Sequence, residues 1–116
     1  MNPSYWGPST WDYLHALSFT YPIEPTFSEK IRFKNHYENF LLPCITCQDH
    51  FLLIIKKIKI DSYLKTKLDL AYWVFLVHNE VNKTLGKKNT PTFLDVKNKY
   101  IRHTACKVKR DGSLKC

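Results

Sequence analysis

Two cysteines separated by two residues, Cys44 and Cys47 in "LLPCITCQDHF", are the residues of this 116-residue chain best suited to chemistry. Pro43 favours the first turn of a helix, and a helix N-terminus favours thiolate over thiol. Sulfurs at this spacing can close a disulfide that exchanges with other dithiols. A lone CxxC is nevertheless shared by zinc ribbons, thioredoxins and disulfide-transfer enzymes.

Three kinds of protein remain open for this CxxC. A structural zinc could use Cys44, Cys47 and His50, although Cys106 and Cys116 do not form a second pair at a zinc spacing. A thioredoxin-like domain would need a strand before the CxxC, and no strand pattern is visible there. A helical redox protein is the third kind. It requires an electron acceptor, or else it is a flavin-free thiol–disulfide carrier.

Polar and aromatic residues elsewhere are compatible with a large planar cofactor. Three amide and imidazole side chains lie on an otherwise apolar helix, where burial would be costly without partners. Aromatic faces and lysines could stack on rings and bind phosphates. A dinucleotide such as FAD needs these groups, although each has an ordinary reading as a core or surface residue. No Gly-rich phosphate loop is present. The residues are His78, Asn79, Asn82, Trp11, Trp73, Tyr100, Lys83, Lys87 and Lys88.

Five helices are expected to position these groups, and the fold class is an all-α bundle. Apolar periodicity and breakers predict helices at residues 8–20, 26–41, 43–55, 69–85 and 91–104. The expected caps are Thr26 with Glu29, Asp69, and Thr90 followed by Pro91, and Gly86 is expected to end the fourth helix. Asp111-Gly112 predicts a tight turn in a polar tail.

Composition indicates one packed, soluble domain. The chain has three Gly against seventeen aromatic residues, and its apolar stretches are too short for a signal peptide or a membrane span. The net charge of +8 could attract an acidic partner or describe a solvated lysine surface. No nucleic-acid motif accompanies the charge, so we expect neither a nucleic acid nor a membrane as partner.

Three motifs in the same order resemble the Erv/ALR family of FAD-linked sulfhydryl oxidases, especially its compact viral members. They are "WGPSTWDYLH", "PCITCQDHF" and "YWVFLVHNEVNKTLGK", which match G-x-x-x-W-x-x-x-H, C-x-x-C-x-x-H-F and W-x-x-x-x-H-N-x-V-N-x-x-L-G-K. Pro8 follows the first glycine, where many cellular members have arginine. Tyr100 stands where they often have tryptophan.

The resemblance implies a four-helix bundle with a short fifth helix and FAD at its mouth. Cys44 would exchange with the dithiol of a protein substrate or of a downstream thiol-redox carrier, Cys47 would face the flavin, and O₂ would finally take the electrons to give H₂O₂. A homodimer packed through the first two helices is also implied. The implied cofactor-binding residues are Gly7, Trp11, His15, Cys47, His50, Trp73, His78, Asn79, Asn82, Lys83, Lys87 and Tyr100.

The resemblance assigns residues 1–105 to the oxidase domain and residues 106–116 to a polar tail. Three roles are open for Cys106 and Cys116: a shuttle dithiol, a disulfide that staples the Asp111-Gly112 turn, or an intermolecular bond. The expected compartment is the cytoplasm of an infected cell or the virion, with the mitochondrial intermembrane space as the alternative.

Overall fold

The computed structural model describes residues 1–103 and 107–115. Its elements are α1 (Pro3–Ser18), α2 (Phe27–Glu38), α3 (Ile45–Lys57), a 3₁₀ turn (Ile60–Tyr63), α4 (Lys67–Thr84), α5 (Phe93–Ile101), β1 (Lys107–Val108) and β2 (Leu114–Lys115). The expected four-helix bundle with a short fifth helix is confirmed. No helix within the described ranges is long and apolar enough to cross a membrane.

Helix α1 begins five residues before the predicted start. The Asn2 side chain accepts a hydrogen bond from the Ser4 N–H, and Pro3 fits the first turn because its missing N–H needs no partner there. Pro8 therefore lies inside the helix rather than at its start. The extension brings the aromatic N-terminal segment alongside the rest of the bundle.

Helices α2 and α3 flank a short linker that leads into the CxxC. The predicted capping box of Thr26 and Glu29 is present, but α2 ends at Glu38, before the predicted residue 41. The prediction of Pro43 as the first residue of α3 is wrong. Cys44 is the N-cap, with extended backbone, and α3 begins at Ile45.

Helices α4 and α5 start at caps that the sequence prediction misplaced. Thr66, rather than Asp69, caps α4, and the Thr66 hydroxyl accepts a hydrogen bond from the Asp69 N–H. Thr92, rather than Thr90, caps α5 and forms a capping box with Asp95. Gly86 follows α4 with a φ of +69°, as predicted for the residue that ends this helix.

The core fills the space between α1, α2, α3 and α4. Its buried side chains include Leu14, Tyr37, Phe51, Leu70 and Trp73. The polar tips of the large rings are satisfied: the Tyr37 hydroxyl donates to the Leu14 carbonyl at 2.8 Å, and Trp73 Nε1 donates to the Ile58 carbonyl at 2.7 Å. A second small cluster, Phe19, Ala71 and Val96, holds α5 against α1 and α4. Together the two clusters hold α1, α3, α4 and α5 in place, and these four helices surround the candidate site.

The tail forms a two-residue antiparallel ladder that pairs Lys107 with Lys115 and Val108 with Leu114. The predicted turn is present. The Gly112 N–H donates to the Lys109 carbonyl at 3.0 Å, and Gly112 has a φ of +86°. Cys106 and Cys116, and the predicted end of the fifth helix at residue 104, lie outside the described residues.

Candidate active site

A cavity of about 980 Å³ opens where α1, α3, α4 and α5 converge. Such a volume lies at the upper end of the range for small-molecule and cofactor sites, so the cavity suits a large ligand. Of the residues predicted to bind a cofactor, those on the cavity wall are Gly7, Trp11, His15, Cys47, His50, His78, Asn82, Lys87 and Tyr100.

The two cysteines form a disulfide with a Cα–Cα distance of 5.3 Å. Cys47 lies in the first turn of α3 and lines the cavity, whereas the N-cap Cys44 is not part of the cavity wall. The Cys47 N–H points at Cys44 Sγ at 3.2 Å, so a helix N-terminal donor faces the sulfur pair. The disulfide therefore has one sulfur on the cavity side and one away from it.

The zinc interpretation finds no matching geometry in residues 1–103 and 107–115. No group of three His, Cys, Asp or Glu side chains in these ranges is placed to hold a metal. The sulfurs of Cys44 and Cys47 bond to each other, and His50 Nε2 instead pairs with the Thr84 hydroxyl at 3.3 Å. His50 thereby links α3 to the C-terminal end of α4 at the rim of the cavity.

Two histidines that contact each other, His15 and His78, line the cavity. His15 Nε2 and His78 Nδ1 lie 2.8 Å apart, which requires one nitrogen to donate and the other to accept. Burial, with a smaller contribution from His78, lowers the pKa of His15 to about 3. Burial, followed by the charge of Lys87, lowers the pKa of His78 to about 4. Both rings are therefore neutral at pH 7.

Aromatic faces extend from this histidine pair on both sides. The Trp11 ring lies parallel to His78, with centroids 4.0 Å apart and planes 4° apart. Tyr100 stacks on His15 at 5.2 Å and an interplanar angle of 22°. Between the two stacked pairs the planes of His15 and His78 are tilted by 44°, so the rings form two stacking surfaces, and a planar ligand could add to either of them.

Asp12 joins α1 to α5 at the edge of this surface, and sequence reasoning missed it. Its carboxylate accepts a hydrogen bond from the Tyr100 hydroxyl and lies 3.4 Å from Lys99 Nζ. The bond from Tyr100, together with the charge of Lys99, lowers the pKa of Asp12. Burial and Asp12 raise the pKa of Tyr100. The sequence signal for a role of Asp12 is its position in the first motif, directly after Trp11, which was predicted to bind the cofactor.

Three predicted cofactor residues on α4 lie away from the cavity wall. Trp73 is 1% exposed and packs in the core, Asn79 does not line the cavity, and Lys83 is exposed beside Glu80. At about 100° per residue, Trp73 and Lys83 lie about 140° around the helix from His78. The cavity face of α4 instead follows the three- and four-residue spacing of His78, Val81, Asn82 and Leu85.

The cavity contains a buried polar atom that has no partner. His15 Nδ1 is buried and makes no hydrogen bond. Asn82 is 5% exposed and also lines the cavity. A smaller recess of about 330 Å³ adjoins these residues and includes Lys87 and Lys88. Buried polar atoms, stacked rings and adjacent lysines together fit a ligand with a planar, hydrogen-bonding ring system and anionic groups.

The fold and this site define a helical dithiol–disulfide protein whose sulfur pair borders a large, aromatic-lined cavity. The chain belongs to the Erv1/Alr family, whose sequence profile matches residues 8–101.

Similar proteins include viral members of the family. The chain is 33% identical over 91 residues to "Probable FAD-linked sulfhydryl oxidase" of Acanthamoeba polyphaga mimivirus. The alignment covers 76% of this chain and 64% of that protein, so the chain spans slightly under two thirds of the relative's length. It is 35% identical over 86 residues to "FAD-linked sulfhydryl oxidase" of African swine fever virus, covering 72% of this chain and 71% of the relative.

The fold is also similar to a solved structure. The FAD binding domain of Erv1 from Saccharomyces cerevisiae superimposes with a TM-score of 0.80 at 26% identity, covering 88% of this chain and 96% of that one.

Proposed function

We propose that this protein is an FAD-dependent thiol oxidase that generates disulfide bonds in protein substrates. The observation that carries the proposal is the position of Cys47, which belongs to a disulfide and lies on the wall of the cavity formed by Trp11, His15 and His78. A dithiol substrate and a cofactor can thus reach opposite sides of one sulfur pair.

The cavity residues have the chemistry that FAD requires. The rings of Trp11 and Tyr100 provide stacking faces, and Asn82 on the cavity wall supplies an amide that can form hydrogen bonds with a ring substituent. Lys87 and Lys88 are placed to bind phosphates. Trp73, Asn79 and Lys83 do not line the cavity, and we assign them no contact with the cofactor. When bound, FAD accepts the electron pair of the dithiol and passes it to O₂, which yields H₂O₂.

The exchange begins at Cys44. A substrate thiolate attacks Cys44 Sγ, a bond forms between these sulfurs, and the Cys44–Cys47 bond breaks with its electron pair on Cys47 Sγ. The N-terminus of α3 stabilises this new thiolate. The second substrate thiolate then attacks the substrate sulfur of the mixed disulfide and releases Cys44 as a thiolate. The substrate is now a disulfide, and the protein holds the two electrons as a dithiol.

A homodimer packed through α1 and α2 is part of the proposal. The outer surfaces of these helices carry exposed apolar and aromatic side chains: Tyr5 at 79%, Tyr13 at 46%, Phe27 at 80% and Ile31 at 41%. A pair of chains would remove these groups from water, which stabilises association. Size-exclusion chromatography with light scattering tests this, and a monomer at micromolar concentration contradicts it.

For the two tail cysteines we favour a structural disulfide over a shuttle or an intermolecular bond. Positions 106 and 116 are the ones that flank the ladder of Lys107 with Lys115, and a disulfide there would close the hairpin. Cys106→Ser should then retain activity on both protein and small dithiols. Loss of activity on protein substrates alone would instead support a shuttle.

The viral relatives also suggest where the protein acts. We propose a viral protein of infected cells, present in the cytoplasm or in the virion. The mitochondrial intermembrane space is the alternative.

Purification and an oxygen electrode test the function. The protein should carry flavin absorbance in the visible and consume O₂ when dithiothreitol is added. Cys47→Ala should lose turnover, because the disulfide can no longer form. It should keep the flavin, because the rest of the cavity wall is unchanged. His78→Ala should lose flavin, whereas His103→Ala, at an exposed site, should keep it. A colourless protein that consumes no oxygen contradicts the proposal.

A further inference from the structure

Besides the packing of Phe40 and Leu42 against the core, the side chain of Gln48 ties the linker between α2 and α3. Gln48 Oε1 accepts a hydrogen bond from the Leu42 N–H at 2.6 Å, and Gln48 Nε2 donates to the Phe40 carbonyl at 3.0 Å. The Gln48 main-chain N–H donates to the Cys44 carbonyl at 2.9 Å. One residue of the second turn of α3 therefore binds the backbone at three alternate positions of the segment that ends at Cys44.

The orientation of the Gln48 amide follows from its partners. A backbone N–H can only donate and a carbonyl can only accept, so the oxygen must face Leu42 and the nitrogen must face Phe40. Gln48 is half-buried, which limits competition from water. Both bonds tie an irregular segment to a helix, and Leu42 lies on the cavity wall beside Cys47. The amide thus fixes the linker relative to the sulfur pair.

The oxidised protein has little need of such a constraint, because the covalent bond already joins Cys44 to Cys47. The need arises when that bond is open. Cys44 then sits outside α3, as its N-cap, on a linker that contains Pro43, while Cys47 stays within the helix. Conformational freedom of the linker would lower the effective concentration of one sulfur at the other.

We propose that Gln48 is a positioning residue that keeps Cys44 within bonding distance of Cys47 while the disulfide between them is open. The inference rests on the proposed function for its place in turnover. It deepens that function by naming what holds the two sulfurs in place for re-oxidation: with the linker held, the dithiol gives up two electrons to the oxidant of the proposed function and two protons to solvent, and the sulfur–sulfur bond forms without a search by Cys44.

The direction of the effect follows from the constraint. Removing the amide bonds frees Cys44 more in the dithiol form than in the disulfide form, where the covalent bond still holds it, so the dithiol gains more conformational entropy and the disulfide becomes easier to reduce. The two amide bonds are present with the disulfide closed, so only the added freedom of the open form shifts the equilibrium, by roughly three- to tenfold in the reduction equilibrium constant. A tenfold change is equivalent to about 30 mV.

The test is redox equilibration of the full chain with glutathione under anaerobic conditions. After acid quenching and alkylation, the mass of the peptide containing Cys44 and Cys47 gives the dithiol fraction separately from the tail cysteines. Gln48→Met preserves length and removes both amide bonds, and Gln48→Asn is too short to make both. Lys56→Met, at an exposed site on the same helix, is the matched control.

We expect both Gln48 variants to be reduced three- to tenfold more readily than the wild type, and Lys56→Met to match the wild type. An unchanged equilibrium constant in Gln48→Met, even with a lower melting temperature, overturns the inference, since the residue would then only stabilise the fold. The readout does not depend on flavin or oxygen. A shifted equilibrium in a protein that never consumes O₂ would uphold the role of Gln48 and reject the oxidase function.

Discussion

The imidazoles of His15 and His78 meet nitrogen to nitrogen at 2.8 Å, across the contact between α1 and α4. Because burial lowers the pKa of both rings, the pair shares a single hydrogen-bonding proton at neutral pH. Protonation of both rings would place two donors against each other, and burial penalises the charge of either ring. The pair therefore connects the stability of the bundle to the acidity of the solution.

His15 should make the protein sensitive to acid. Its pKa is about 3 in the folded state against 6.5 for a free histidine, so only the unfolded chain takes up this proton as the pH falls below 6.5. At pH 5 this corresponds to a loss of about 2 kcal/mol from the free energy of unfolding. Urea unfolding at pH 7 and pH 5 measures the loss, and His15→Gln should reduce it. Equal pH dependence in both proteins would contradict the buried neutral ring.

Trp73 should matter for stability and not for cofactor binding. Trp73→Phe leaves the Ile58 carbonyl without its donor in the core, which should cost about 1–3 kcal/mol. The folded variant should keep its flavin absorbance, because the ring does not line the cavity. Tyr63→Phe is the control, since Tyr63 is partly buried against the core and does not line the cavity. Flavin loss from fully folded Trp73→Phe would restore a direct role in binding.

Asp12 and Tyr100 should act as a unit. Asp12→Ala and Tyr100→Phe each break the bond between α1 and α5, so the second change should cost little once the first is made. A double-mutant cycle on the free energy of unfolding should give a coupling of about 1 kcal/mol. Lys99→Met removes an exposed ion pair and a cation–π contact with the Tyr100 ring, and it should change stability by less. Additive effects of the two substitutions would show that the α1–α5 contact does not depend on this bond.

Two apolar side chains beside Cys44 should contribute to the binding of protein substrates. Ile45 is 85% exposed and Leu41 is 82% exposed, and both flank the sulfur that the substrate would attack. Ile45→Ser should raise KM for a protein dithiol by roughly tenfold, which corresponds to about 1.4 kcal/mol of lost apolar burial, and leave KM for dithiothreitol unchanged. Leu53→Ser, 64% exposed farther along α3, is the control. Equal effects on both dithiols would place Ile45 in the chemistry rather than in recognition.

The helical architecture could be predicted because local signals agreed with it. The Thr26–Glu29 capping box and Gly86 mark helix ends that the structure has at the same residues. The missed starts of α4 and α5 follow the same rule, since Thr66 and Thr92 each precede an aspartate by three residues. At these two places the sequence contains the capping pattern, although the predicted caps are Asp69 and Thr90.

The site was only partly predictable from the motifs. Matching to the family selects residues by order along the chain, which does not separate the cavity face of α4 from its core face. Helical periodicity does separate them, because His78 and Asn82 share a face that excludes Trp73. Asp12 and Gln48 could not be predicted in the same way. The role of Asp12 depends on Tyr100, which is 88 residues away in the sequence, and the role of Gln48 depends on Phe40 and Leu42 in an irregular linker.

The interior of the bundle is complete without the cavity. Tyr37 and Trp73 fill it with their own side chains and satisfy their polar atoms on backbone carbonyls. The newly made chain can therefore reach its final architecture before any flavin arrives. We therefore expect FAD to bind after the bundle has folded, so that the saturation of the proposed oxidase in a cell follows the supply of FAD rather than the yield of folding.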